Sequence, residues 1–354
     1  MSTPRYLTQS QLQARRRRPP RGRGRARALA LVIPLAAAGA AFALQGSSPA
    51  HARHPAKHAA AKVPAQPLSA DGLPLARPAL TLSGISDPNR NPIQLAFHSP
   101  PRAGLLFNLT TGQVLWERDP HERLPIASLT KLMTALIAVE SAPPDQPVLI
   151  TRRAADANGS KVGVLPVGRH VALESMLYGL LLPSGNDAAV AIAQAIAGSV
   201  PSFVQRMNVE AARLGMGCTR YSSPHGYYDA ANFSCAADLA VLAHVDSEQP
   251  RIDRITRTLE AILPFPIKGG KLYLYNNNPL LIYHYPGTTG MKTGYTIAAG
   301  RCLLATAERD GVRLGVVLLN STAPGTQARQ LLDDAFTRVY HVPAVPEPPI
   351  PSGA

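Results

Sequence analysis

Cysteine and tryptophan are scarce in these 354 residues, with three of the first and one of the second. Three cysteines are too few for a disulfide framework, and the spacing of Cys218, Cys235 and Cys302 matches no metal pattern. Export would permit a bond between Cys218 and Cys235, but buried free thiols are the plainer expectation. Acidic residues are absent from the first 70 positions, which carry twelve Lys or Arg; the first acid is Asp71. The formal charge of +14 is therefore a property of the tail. The remainder holds 36 − 12 = 24 basic residues against 22 acidic ones, a net of +2. So near-even a balance argues against a nucleic-acid-binding body.

Long apolar runs are missing as well. The longest, "ALALVIPLAAAGAAFAL", covers Ala28 to Leu44, seventeen residues at the lower edge of what spans a bilayer. It comes after the basic "RRRRPPRGRGRAR" and precedes Ala50-His51-Ala52, the order of a secretory signal. Cleavage after Ala52 and retention as an N-terminal anchor both fit. Either exports the residues beyond 52, to the periplasm or the outer face of the cytoplasmic membrane. Residues 53–92 are rich in Pro, Ala and Lys and read as a linker. His51, His54 and His58 are spaced too loosely for a metal site. The remaining boundaries are a folded domain over 93–342 and a Pro-rich tail over 343–354.

Within 93–342 the hydrophobic period changes twice. "IQLAFHSP" reads as a strand, and "AGLLFNLTTGQVLWERD" as a hairpin turning at "NLTTGQ", with Trp116 in the core. Helical periods come next in "LTKLMTALIAVES", "LESMLYGLLLPSG", "DAAVAIAQAIAG", "VPSFVQRMNVEAARLGM" and "CAADLAVLAHV", with a short β excursion at "SKVGVLPVGRHVAL". Strands return in "KLYLYNNN", "MKTGYT", "AGRCLLATAERDG" and "VRLGVVLLNS", before a closing helix "QARQLLDDAFTRVYH". This order predicts an α+β plan: an antiparallel sheet built from both ends of the domain, flanked by helices, with a helical block inserted.

Lysine is the scarce base, seven against 29 Arg, and two of the seven fall in short motifs that carry chemistry. Ser128 is the only Ser with a Lys three positions later, at Lys131. One helical turn separates the two, on one face. Alone, such a pair arises about once by chance in a chain this long. Here "SGN" at Ser184–Asn186 and "KTG" at Lys292–Gly294 appear after it in order. A Ser hydroxyl needs a base within hydrogen-bond reach, and a Lys can serve if burial and a second cation, Lys292, keep its amine neutral. Arg could not, since it never deprotonates. A Ser at a helix start also has free N–H groups and the positive end of the helix dipole beneath it. The competing reading makes Ser128 a helix cap and the other two motifs ordinary turn and strand-edge residues. His225 and His284 read as structural.

The trio S-x-x-K, S-x-N, K-T-G belongs to penicillin-binding proteins and class A β-lactamases. From about Ile93 to Tyr340 the chain resembles the low-molecular-mass penicillin-binding proteins, the D-alanyl-D-alanine carboxypeptidases, also in "RLPIASLTKLMTAL", "SSPHG" and "GMKTGYTIAAGRCLLATA". The resemblance implies a β-lactamase/transpeptidase-like fold with the motifs lining a groove between sheet and helical block. It makes Ser128 the acylated nucleophile, Lys131 its base and Ser184 a proton relay to the leaving amine. Asn186 would hold the substrate's peptide amide, and Lys292 and Thr293 its terminal carboxylate, with Gly294 also among the substrate-binding residues. The N–H groups of Ser128 and Tyr295 would form the oxyanion hole. The implied substrates are peptidoglycan stem peptides, with β-lactams as inhibitors and no cofactor or metal. Thr288-Thr289-Gly290 departs from the Val-Asp-Gly common in the family, which bears on substrate range. Fourteen residues after Tyr340 leave no room for the second domain of many relatives, so membrane attachment is expected from the N-terminal segment. A D,D-endopeptidase cutting cross-bridges uses the same trio, and a non-catalytic penicillin sensor is a third alternative. A class A β-lactamase needs a Glu in an E-x-x-x-N loop, and none of Glu210, Glu248 and Glu260 has Asn four residues on.

Overall fold

The structure, a computed structural model, describes residues 80–85, 91–227 and 230–345. The basic region, the signal or anchor, most of the linker and the end of the Pro-rich tail therefore lie outside the described residues. Both ends of the domain supply one five-stranded antiparallel sheet. Its strands are β1 (Ala103–Asn108), β2 (Val114–Arg118), β3 (Thr288–Thr296), β4 (Gly300–Arg309) and β5 (Val312–Ser321), in the order β2-β1-β5-β4-β3. The strands alternate between two cores, as the two-residue side-chain period requires. Leu105, Val317 and Leu304 lie in register and face the helical block. Their neighbours Leu106, Val316 and Ala305 form a second row that packs against the closing helix and Trp116. Since both faces are covered, β1 is buried along its whole length and reads as a continuous apolar run.

Between β2 and β3 the chain builds the inserted block from α1 (Thr130–Ser141), α2 (Leu173–Leu181), α3 (Asn186–Ala197), α4 (Val200–Arg213), α5 (Ala236–Ser247) and α6 (Pro250–Thr256). The closing helix is α7 (Pro324–Asp334). Helix α1 is buried on every side from Thr130 to Ala138, the mark of a helix at the centre of a core. Gly198, at φ 73°, ends α3, and the Ser199 hydroxyl caps α4 by accepting from the Ser202 N–H.

Several expectations fail in instructive ways. "IQLAFHSP" is not a strand. It lies beside β2, where Leu95 O accepts from the Trp116 indole and Phe97 meets that ring edge-on. Its apolar residues pack against the core cluster around Trp116, and the Ile93 N–H donates to Leu115 O at 3.1 Å without a ladder forming. The β excursion shrinks to His170–Ala172, paired with Pro147–Leu149, and the "KLYLYNNN" strand (Lys271–Tyr275) forms its own ribbon with Glu260–Pro264. The linker boundary at 92 also moves. Leu80 is buried in the main core, and Ser83 exchanges backbone hydrogen bonds with Gly112 and Val114. Spaced leucines in a Pro/Ala-rich stretch are enough to dock it. Finally, Cys218 and Cys235 are joined in a disulfide, and only Cys302 is a free, buried thiol. The bond spans seventeen positions and joins the segment after α4 to the start of α5, a proximity that no local pattern announces.

Candidate active site

The segment leading into α1 is a 3-10 turn, Ala127–Leu129, with Ala127 at φ 48°. Neither this turn nor α1 receives a side-chain cap. Ser128 is thus not a helix cap. Its Oγ instead accepts from Lys131 Nζ at 2.8 Å. The same amine donates to Asn186 Oδ1 at 2.7 Å and to the His225 carbonyl at 3.2 Å. Asn186 begins α3, and its amide donates in turn to Asn158 O at 2.5 Å. Lys131 is fully buried, 0% exposed. Burial, helped by the charge of Lys292 and opposed by Asp187, holds its amine well below the usual lysine range. Such surroundings favour the neutral form of the amine.

Lys292 lies on β3, the edge strand, 1% exposed, and donates to Thr293 O at 3.1 Å. Burial lowers its pKa to about 7. Strand β3 runs against the Ser128 turn. A Cβ at Gly294 would meet Ile126 O at 2.9 Å and Ser128 N at 3.1 Å, so the third motif position must be glycine for the two elements to approach. Tyr295 comes next at the rim, 66% exposed. Ser184 is 5% exposed, in the left-handed region at φ 67°, and its buried hydroxyl meets no protein partner. A strained residue with an unspent hydroxyl at the head of α3 is equipped to handle a proton from a bound substrate. Gly185 is closed in, since a Cβ there would meet Asp187 Oδ1 at 2.7 Å and Gly179 O at 2.9 Å. The structure therefore gathers the three motifs: Ser128 and Lys131 at α1, Ser184 and Asn186 at α3, Lys292 to Tyr295 on β3.

Sequence reasoning missed the supports. Asp187 accepts from the Val162 and Gly163 N–H groups at 2.9 and 3.0 Å and holds the 158–163 loop beside Asn186. The "SSPHG" segment lies against the Ser128 turn through carbonyl groups, which no side-chain motif can announce. His225 and Tyr227, with Asn158 and Gly159, line a depression of about 450 Å³ next to the amine and amide just described.

Two buried lysines with lowered pKa have a consequence for stability. Unfolded, Lys292 keeps its proton up to about 10.5; folded, it loses it near 7. Between these values the unfolded chain binds more protons, so stability rises with pH and falls as pH drops through 7. Cys302, raised to about 11 from 9.0, opposes this only above pH 9. We expect the melting temperature to climb between pH 7 and 9, and Lys292→Met to flatten the climb. A flat or falling wild-type curve over that window would contradict the assignment.

Residues 98–323 match the family profile described as D-alanyl-D-alanine carboxypeptidase, peptidase S11. The D-alanyl-D-alanine carboxypeptidase DacF of Bacillus subtilis is 34% identical over 245 residues, 67% of this chain and 62% of the relative. This chain thus spans less than two thirds of that protein's length. A D-alanyl-D-alanine endopeptidase of Pseudomonas aeruginosa is 34% identical over 235 residues, 62% of this chain and 75% of the relative. Among solved structures, the Streptomyces K15 DD-transpeptidase superposes with a TM-score of 0.65 and 30% identity, covering 69% of this chain and 100% of that one. The architecture, the three gathered motifs and these matches lead to one conclusion: the chain belongs to the D-alanyl-D-alanine carboxypeptidase family of serine peptidases, the low-molecular-mass penicillin-binding proteins.

Proposed function

We propose that this protein is a serine-type D-Ala-D-Ala carboxypeptidase that removes the terminal D-Ala from peptidoglycan stem peptides and is acylated by penicillins. The observation that carries the proposal is the buried Lys131 amine, 2.8 Å from Ser128 Oγ and favoured in its neutral form by its surroundings. Lys131 takes the Ser128 proton as Oγ attacks the carbonyl of the penultimate D-Ala. The N–H groups of Ser128 and Tyr295 receive the developing oxyanion. Lys292, with Thr293, holds the substrate's terminal carboxylate, Asn186 its peptide amide, and the Ser184 hydroxyl hands a proton to the departing amine. Water then hydrolyses the ester on Ser128. A penicillin takes the same first step, and without an E-x-x-x-N carboxylate its ester persists.

The site is proposed to work outside the cytoplasm. The basic-then-apolar N-terminal order supports export, and a Cys218–Cys235 bond is at home in an oxidising compartment. Membrane attachment, if the signal is retained, is through the same N-terminal segment. The cross-bridge endopeptidase is the second reading, favoured by the Pseudomonas aeruginosa relative. Against it, the middle of the second motif is a glycine with no room for the acidic side chain that some endopeptidase relatives carry there.

The test is incubation of the full chain with a labelled penicillin while D-Ala release from a D-Ala-D-Ala pentapeptide is measured in parallel. A lasting adduct together with D-Ala release is expected. An adduct without release would replace carboxypeptidase by endopeptidase or sensor, and no adduct would end the serine-acylation reading.

A further inference from the structure

The segment between the two bonded cysteines meets the nucleophile turn with four separate ties. Pro224 O accepts from Thr134 Oγ1 at 2.7 Å, and His225 O accepts from Lys131 Nζ at 3.2 Å. The Asn232 amide donates to Thr130 Oγ1 at 2.7 Å. Gly226, at φ 73°, lies so near Ala127 that a Cβ would come within 2.0 Å of its carbonyl oxygen. All four fall within Ala127–Thr134, the stretch that holds Ser128 and Lys131. The foot of the segment is clasped just as firmly. Beside the disulfide, Arg220 and Phe233 exchange backbone hydrogen bonds of 2.9 and 3.0 Å. Asp238 on α5 accepts from the Cys218 N–H at 2.8 Å and from Thr219 Oγ1 at 2.6 Å.

We propose that the Cys218–Cys235 disulfide is a positioning element for acylation, holding the Pro224 and His225 carbonyls against α1 so that water is kept from the Lys131 amine. The inference rests on the Lys131 base assigned above. The charges that act on that amine are Lys292 from β3 and Asp187 from α3, and the segment itself presents the His225 carbonyl to it. Of these, the segment is the part whose anchorage a thiol reagent can change. Solvent stands close, since the 450 Å³ depression is lined by His225 and Tyr227 and by Asn158, which holds Asn186. If the clasp opens, water reaches Nζ, the protonated form gains hydration, and the base is lost at neutral pH. Reduction by a dithiol does this chemically. Its two thiols exchange with the Sγ–Sγ bond, leaving Cys218 and Cys235 as thiols and the reagent as a cyclic disulfide.

The readout is the pH dependence of penicillin acylation, whose acidic limb tracks protonation of the base in the free enzyme. The wild type is compared with Cys218→Ala/Cys235→Ala, and with wild type treated with dithiothreitol and checked by circular dichroism. We expect the acidic limb to move up by about one pH unit, a roughly tenfold slower acylation below the limb, with recovery at higher pH. Asn232→Ala, which keeps the bridge and cuts one tie, should shift the limb the same way and guards against a double variant that does not fold. A lower melting temperature with an unmoved limb, or a uniform rate loss at every pH, would overturn the inference and leave the bond a stabilising cross-link only. If wild type is not acylated at all, it is the serine-acylation reading that fails.

Discussion

Ser128→Ala should abolish the covalent penicillin adduct, detected as the missing mass shift, and cut D-Ala release by about 10⁴-fold or more. Removing the hydroxyl deletes the atom that forms the ester, so no neighbouring group can rescue a covalent pathway. The fold should survive. Ser128 is not a cap, and its one hydroxyl contact is to Lys131, which keeps Asn186 and the His225 carbonyl as partners. A variant of unchanged melting temperature that still forms an adduct would place the nucleophile elsewhere, and with it the whole site. Ser184, the buried hydroxyl of the second motif, would then be the first to examine.

Lys131→Arg should slow acylation by about 10² to 10⁴-fold, or about 3–5 kcal/mol in the barrier. The substitution keeps hydrogen-bond donors at the position but removes the capacity to be neutral. The native amine is surrounded by three acceptors and lies near a second cation, in a space that burial makes hostile to charge. Arginine would stay charged there. The acidic limb of the wild-type profile should therefore be absent from the variant, whose residual rate should depend little on pH between 6 and 9. An arginine variant that acylates at the native rate would mean that Lys131 acts as a fixed charge and that the proton leaves by another route.

Much of the site is legible in the sequence. Three ordered motifs point to Ser128, Ser184 and Lys292, because S-x-x-K within one helix turn is a local relation and a local relation survives folding. The helical block and the two sets of strands are readable for the same reason, since a period of 3.6 or 2 residues is a property of neighbours in sequence. The Leu105 and Leu106 rows illustrate the limit. Their alternation is visible, but both faces prove to be buried, and which partner covers each face depends on strands about 200 residues away.

What fails is whatever rests on a single local cue or on backbone. "IQLAFHSP" has a strand's composition, yet beside it stands Trp116 rather than a ladder. The free-thiol expectation for Cys218 and Cys235 rests on their number and spacing, whereas α4 and α5 bring them together. The closeness of Gly294 to the Ser128 N–H is likewise beyond the reach of pattern. The support of Lys131 by the His225 carbonyl leaves no trace in the residue type, because every residue has a carbonyl.

By itself, then, the sequence singled out the side chains proposed to carry the chemistry, the order of the elements that present them, and the character of the basic tail. Tertiary structure alone decided that the Lys131 amine is buried and how Lys292 comes to stand near it. It also decided that Ser184 keeps an unspent hydroxyl, and that a disulfide clasps the segment covering the base. The division has one physical cause. Nucleophile, base and cation are properties of a residue type, but the protonation state that makes them work is set by desolvation and by charges from distant parts of the chain.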